Sequence, residues 1–147
     1  SSIIPDSARY QLLTKAFEIA RDMFPFGTGF ATFGSYYSGV YYSSVYAAYG
    51  LSNINGLRIG ASQFISDSFW PMILGQSGYF GLLSYIFAVT MLLKAIQRIR
   101  KVENSYYAAA MSGICYLIIV SMAESAFVHP IAVPIAMMIG AFLGKCE

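Results

Sequence analysis

Arg58 and Asp67 are the first charges after a long neutral stretch, since Met23 to Leu57 contains no Asp, Glu, Lys or Arg. An arginine offers paired N–H donors to an anion, and a carboxylate offers a base to an attacking hydroxyl. At the rim of an apolar protein a charge is costly unless it is solvated or paired. Each of these two is therefore either a wet loop charge or part of a site. The neutral stretch carries Tyr36, Tyr37, Tyr41, Tyr42, Tyr46 and Tyr49. Such rings suit either an aromatic belt at lipid headgroups or a surface on which sugars stack, the hydroxyls bonding sugar hydroxyls. Gly27-Thr28-Gly29 follows a helical segment and Pro25, which argues for a tight turn over a phosphate-binding loop. His129, the single histidine, precedes Pro130; there it either bonds a backbone carbonyl freed by the proline or acts as a catalytic group. His-Glu-x-x-His, Gly-x-Ser-x-Gly and Walker motifs are missing, which disfavours a zinc enzyme or an NTPase. No cofactor is expected. Cys115 and Cys146 show neither disulfide nor metal spacing, and a net charge of +2 points to no nucleic-acid partner.

The elements that must position these residues are dominated by apolar segments. Hydrophobic residues make up 57% of the chain and charged residues 11%, both on the membrane-protein side of soluble averages. Ser68 to Leu93 holds no charge and stops at Lys94, Arg98, Arg100 and Lys101. That pattern predicts a membrane-spanning helix over about 71–93 with a cytoplasmic basic end. Two further apolar segments predict spans over 105–123 and 126–144, joined by a tight outer turn at Glu124-Ser125. Pro130 and Pro134 are expected to kink the last span, and Gly140-x-x-x-Gly144 to pack it closely. The expected fold is all-α, a polytopic helical membrane protein in the cytoplasmic membrane.

Residues 1–70 are expected to lie outside the cytoplasm. Residues 7–24 place Leu12, Leu13, Ala16, Phe17, Ala20 and Met23 at helical spacing. This predicts an amphipathic helix lying on the membrane surface or on the helix bundle. Residues 25–57 read as an aromatic, glycine-rich loop, with a turn at Asn53-Ile54-Asn55-Gly56, and 58–70 as a rim segment returning to the membrane. Neither a leader nor a clean span precedes residue 70, so the chain is expected to be a fragment with further helices upstream.

The order of parts carries a resemblance. Ser7-Ala8-Arg9 opens an amphipathic helix, Phe24-Pro25-Phe26-Gly27-Thr28-Gly29-Phe30 follows it, and after the aromatic loop a span opens with Gly75-Gln76-Ser77-Gly78-Tyr79-Phe80-Gly81-Leu82-Leu83. This arrangement, over roughly residues 7 to 95, resembles the O-antigen polymerase and ligase family. The resemblance implies a multi-span membrane glycosyltransferase that moves glycan from a polyprenyl diphosphate carrier at the outer face of the membrane, without a nucleotide sugar. It further implies membrane lipids as surroundings, with a chain-length regulator and a flippase as partners. Arg9 falls at the family's arginine position.

One departure matters. Where many members, ligases especially, carry a His-Asn motif before the span, this chain has Ser66-Asp67-Ser68-Phe69-Trp70. Asp67 is the only ionisable group there, which favours a polymerase over a ligase. Transfer from a glycosyl diphosphate releases a multiply charged anion while an acceptor hydroxyl attacks the anomeric carbon. Arg9 and Arg58 are expected to hold the diphosphate, Asp67 to orient or deprotonate the acceptor, and Tyr41, Tyr42 and Trp70 to contact the glycan. The alternatives are an O-antigen ligase, or a non-enzymatic flippase or exporter, for which the three spans offer few polar groups.

Overall fold

The computed structural model describes residues 8–60, 64–66 and 68–145. Its regular elements are all helices: α1 (Ala8–Asp22), α2 (Tyr36–Val40), α3 (Ser44–Ala48), α4 (Phe69–Ile99), α5 (Asn104–Val120) and α6 (Ala132–Leu143), with short 3-10 turns at Leu51–Asn53 and Ala126–Val128. Two compact units, Ser1–Leu83 and Ser84–Glu147, divide the chain, and α4 contributes to both.

In the first unit, Leu12, Ala16, Ile19 and Ala20 recur at helical spacing and bury one face of α1. Arg21 sits favourably in its last turn. The helix stops at Asp22, two residues before Phe24, whose place ahead of Pro25 disfavours the α region. Of the apolar residues at that spacing, Leu13, Phe17 and Met23 stay exposed. Helix α1 therefore has two apolar stripes, one in the core and one outside it. Phe33, Tyr46, Leu51, Leu57, Ile65 and Leu74 complete the core.

The short helices α2 and α3 exist through their caps. Ser35 and Ser38 bond each other's backbone N–H groups in a reciprocal box, and Ser43 Oγ accepts from the Val45 N–H. Tyr46 locks the pair. Its hydroxyl accepts from the Gly34 N–H at 2.8 Å and lies 2.7 Å from Ser38 Oγ, while its ring stacks on Phe33 with centroids 5.6 Å apart. Burial pushes the Tyr46 phenol above its ordinary pKa, so it stays neutral and serves as a structural polar anchor. Tyr46→Phe leaves the buried Gly34 N–H without this acceptor and is expected to cost about 1–3 kcal/mol. A fall in the thermal midpoint of the detergent-solubilised chain checks this, with Tyr37→Phe, an exposed tyrosine, as the unaffected control.

In the second unit, Ile96 and Ile99 at the end of α4, Ala110 and Ile114 on α5 and Ile139 on α6 form the core. Gly113 provides the close approach, since a Cβ there would lie 3.0 Å from Ile135. Tyr106 stacks on Phe142 at 4.7 Å, and Lys145 covers the Tyr106 ring at 4.5 Å.

Among the described residues, only α4 is long and apolar enough to cross a membrane by length and composition. It differs from the expected 71–93 at both ends. The helix runs on through Lys94, Gln97 and Arg98, which are good helix formers, to Ile99, and it is interrupted at Gly78 (φ 65°, ψ −165°). Helix α5, expected over 105–123, stops at Val120. The third segment departs most, being a regular helix over Ala132–Leu143 and not 126–144. His129 precedes Pro130 and is extended (φ −83°, ψ 150°), as a pre-proline residue should be. Pro130 thus delays the helix start instead of kinking its interior, and Pro134 lies in the first turn, where its missing N–H costs nothing. At 12 residues α6 is about 18 Å long. The Gly140-x-x-x-Gly144 motif is not the packing contact within this chain: a Cβ on Gly140 meets no atom within 4 Å.

Candidate functional site

What the fold brings together is the turn after α1 and the break in α4. In an unbroken helix the Gly75 and Gln76 carbonyls would accept from the N–H groups of Tyr79 and Phe80. Here the Thr28 N–H donates to the Gly75 carbonyl at 3.0 Å and the Gly29 N–H to the Gln76 carbonyl at 2.9 Å, while the Phe80 N–H donates to the Pro25 carbonyl at 3.4 Å. The turn thus replaces part of a helical turn and satisfies three of the backbone groups that the break exposes, the Gly75 and Gln76 carbonyls and the Phe80 N–H. Side chains reinforce the join. Thr28 Oγ1 also donates to the Gly75 carbonyl (3.1 Å), and the Gln76 amide donates to the Phe33 carbonyl (2.5 Å) and accepts from the Ala31 N–H (3.2 Å).

Glycine is required because backbone meets backbone. A Cβ on Gly27 (φ 70°) would lie 2.6 Å from the Gly75 carbonyl oxygen, and one on Gly78 would overlap the Pro25 carbonyl. The Gly27-Thr28-Gly29 segment is therefore a tight turn, held by a helix and not by a strand. Sequence reading assigned no contact to Gln76. The available signal was a lone amide in an apolar span, flanked by Gly75 and Gly78.

The expected site residues are distributed over the same unit. Arg9 is exposed in the first turn of α1, and Arg58 is exposed in the rim segment. The Tyr42 hydroxyl donates to the Leu57 carbonyl at 2.9 Å, and its ring packs on Tyr46 with centroids 5.4 Å apart. Tyr42 is thus partly buried and held by the fold through both its hydroxyl and its ring. The same bond ties the turn that carries Tyr41 to the segment that carries Arg58. Tyr41 is 81% exposed, and Tyr36 and Tyr37 beside it are also exposed, their rings meeting edge-to-face at 5.6 Å. Tyr42 holds φ 37°, a costly conformation for a bulky residue, at the turn from which Tyr41 projects.

Tyr49 contributes to the scaffold, its hydroxyl donating to Asp22 at 3.3 Å. Trp70 is half-buried, edge-to-face with Phe69 at 5.6 Å. Asp67, the expected base, lies outside the described residues. His129 is exposed ahead of α6. Among the described residues no three His, Cys, Asp or Glu side chains gather as a metal site.

This arrangement can do two things chemically. Arg58 can donate to an oxyanion from a water-facing position, and the Tyr36, Tyr37 and Tyr41 rings can receive flat apolar faces of a polar ligand. Comparison with protein-family models, curated protein sequences and solved structures returns no match for this chain.

Proposed function

We propose that this chain belongs to a surface-polysaccharide polymerase of the O-antigen type, a membrane glycosyltransferase that transfers glycan from polyprenyl diphosphate to a lipid-linked acceptor unit at the outer face of the cytoplasmic membrane. The observation that carries the reading is the hydrogen-bonded join of Pro25–Gly29 to Gly75–Phe80. These are the two segments on which the family resemblance rests most, and they form one structural feature although about 50 residues separate them. The broad exposure of the apolar residues Phe80, Leu83, Ile86, Phe87 and Met91 along α4 favours a lipid surrounding over the core of a water-soluble protein.

In this reading α4 crosses the membrane with Lys94 to Lys101 in the cytoplasm, and the unit carrying Arg9, Arg58 and the tyrosines faces outward. α5 and α6 belong to a multi-pass bundle. Arg58 and Arg9 hold the carrier diphosphate and stabilise the charge that grows on it as its bond to the anomeric carbon breaks and the acceptor oxygen takes its place. Tyr41, with Tyr36 and Tyr37 beside it, stacks against sugar rings, Trp70 borders the acceptor, and Asp67 receives the acceptor proton.

The test is the glycan profile of cells lacking the intact gene. Single repeat units that persist on the carrier or cap the surface lipid are the expected result. Long polymers stranded on the carrier would instead mark a ligase, and repeat units trapped on the cytoplasmic side a flippase or exporter.

A further inference from the structure

Phe30 is 94% exposed, Phe24 71% and Phe26 66%, three phenylalanines on one seven-residue turn with no hydroxyl to offer water or sugar. The turn that carries them is fixed to α4 at a defined level. The Phe26 ring lies edge-to-face on Phe80 at 5.9 Å, and the Phe24 ring is tilted on Tyr79 at 6.4 Å, beside the Phe80 N–H to Pro25 bond. Along the helix, Phe80 stands about 27 Å from Arg98 at 1.5 Å per residue. A hydrocarbon core is about 30 Å thick. With Arg98 at the cytoplasmic headgroup boundary, and Lys94 about one turn before it extending its long side chain to the same headgroups, Phe80 reaches the opposite boundary, and the turn clipped to it shares that depth.

We infer that the Phe24-Phe26-Phe30 turn is a wedge seated in the acyl-chain boundary of the outer leaflet, its partner being lipid. The inference rests on α4 crossing the membrane as proposed above. Three points favour lipid over a protein partner. The wedge is continuous, through the Phe26 and Phe80 rings, with the exposed apolar surface of α4. The exposed stripe of α1, Leu13 and Phe17 on one helical face, ends shortly before Phe24, the two residues lying about three and two turns ahead of it in the chain. The break in α4 falls at that level too, and irregular backbone at membrane depth persists only where its polar groups are satisfied by protein, which is what Thr28 and Gly29 do. The wedge would hold the tyrosine and arginine surface of this unit at a fixed height over the headgroups, where a lipid-anchored diphosphate emerges.

Fluorescence depth quenching of the full chain in phospholipid vesicles tests this. In a Trp70→Phe background, Phe30→Trp provides a reporter on the wedge, and Phe87→Trp, about two turns further along α4, one in the proposed span. Vesicles carry lipids brominated either near the glycerol end or near the methyl ends of the acyl chains. The expected result is blue-shifted emission from the Phe30→Trp reporter, quenched more by the shallow bromines, with the Phe87→Trp reporter quenched more by the deep ones. Quenching of the Phe87→Trp reporter alone would overturn the wedge: red emission at position 30 would place it in water, and blue unquenched emission would place it against protein. If neither reporter is quenched, the membrane reading of α4 fails as well. Glycan transfer is not read in this assay, so its outcome is separate from that of the proposed activity.

Discussion

Gly78→Ala is expected to collapse the fold of the first unit, with a sharp drop in the abundance of folded chain and cleavage of the segment before Phe69 by a protease that leaves the parent intact. Two costs combine. The backbone at φ 65°, ψ −165° lies in a region essentially restricted to glycine, which by itself costs about 1–3 kcal/mol for another residue. The new Cβ would also overlap the Pro25 carbonyl and crowd the Gly27 nitrogen at 2.7 Å, so the turn must lift away and give up its bonds to Gly75, Gln76 and Phe80. Buried backbone groups left without partners add about 1–3 kcal/mol each, and native stability is about 5–15 kcal/mol in all. Gly140→Ala is the control. It places a methyl where no atom lies within 4 Å, in a helix interior where alanine is favoured by about 0.5–1 kcal/mol. Equal abundance and protease resistance of the two variants would refute the role assigned to the break.

Arg58→Ala is expected to lower glycan transfer from polyprenyl diphosphate by on the order of 10²-fold or more, the loss seen when a preorganised donor to developing negative charge is removed. Arg58 is exposed, and surface substitutions of this kind change stability by about 0.5 kcal/mol or less. The loss should therefore occur at normal protein abundance. Arg58→Lys keeps the charge but not the paired donors and should recover only part of the rate. Arg9→Ala is the companion variant. Transfer is measured in isolated membranes with chain levels matched, and full activity in both alanine variants would remove the arginines from the mechanism.

The outline of both features was legible in the sequence to different degrees. Uncharged, apolar residues from Ser68 to Leu93 predict a long exposed helix because local composition and length alone decide whether a segment can span lipid. The Leu12-Ala16-Ala20 spacing likewise predicts α1, since a helical period is a local property. Leu13 and Phe17 share that period and yet remain outside the core, because one stripe of the helix joins the cluster of Phe33, Tyr46 and Leu74 and the other stays exposed. Periodicity reports that a face is apolar. It does not report what covers it.

The candidate site divides in the same way. Arg58 was legible because a charge after a long neutral run is conspicuous in any fold. Tyr41 and Tyr42 are neighbours of one type in one motif, and only the bond from the Tyr42 hydroxyl to Leu57 separates the residue that holds the scaffold from the one that projects outward. The sequence by itself determined the helical class, the membrane-length apolar helix and the sparse charges, all of which follow from residue type and short-range spacing. The tertiary structure alone decided that the Gly27 turn enters the break at Gly78. That join depends on which carbonyls a distant backbone leaves open, and no residue of either segment records this until the two meet.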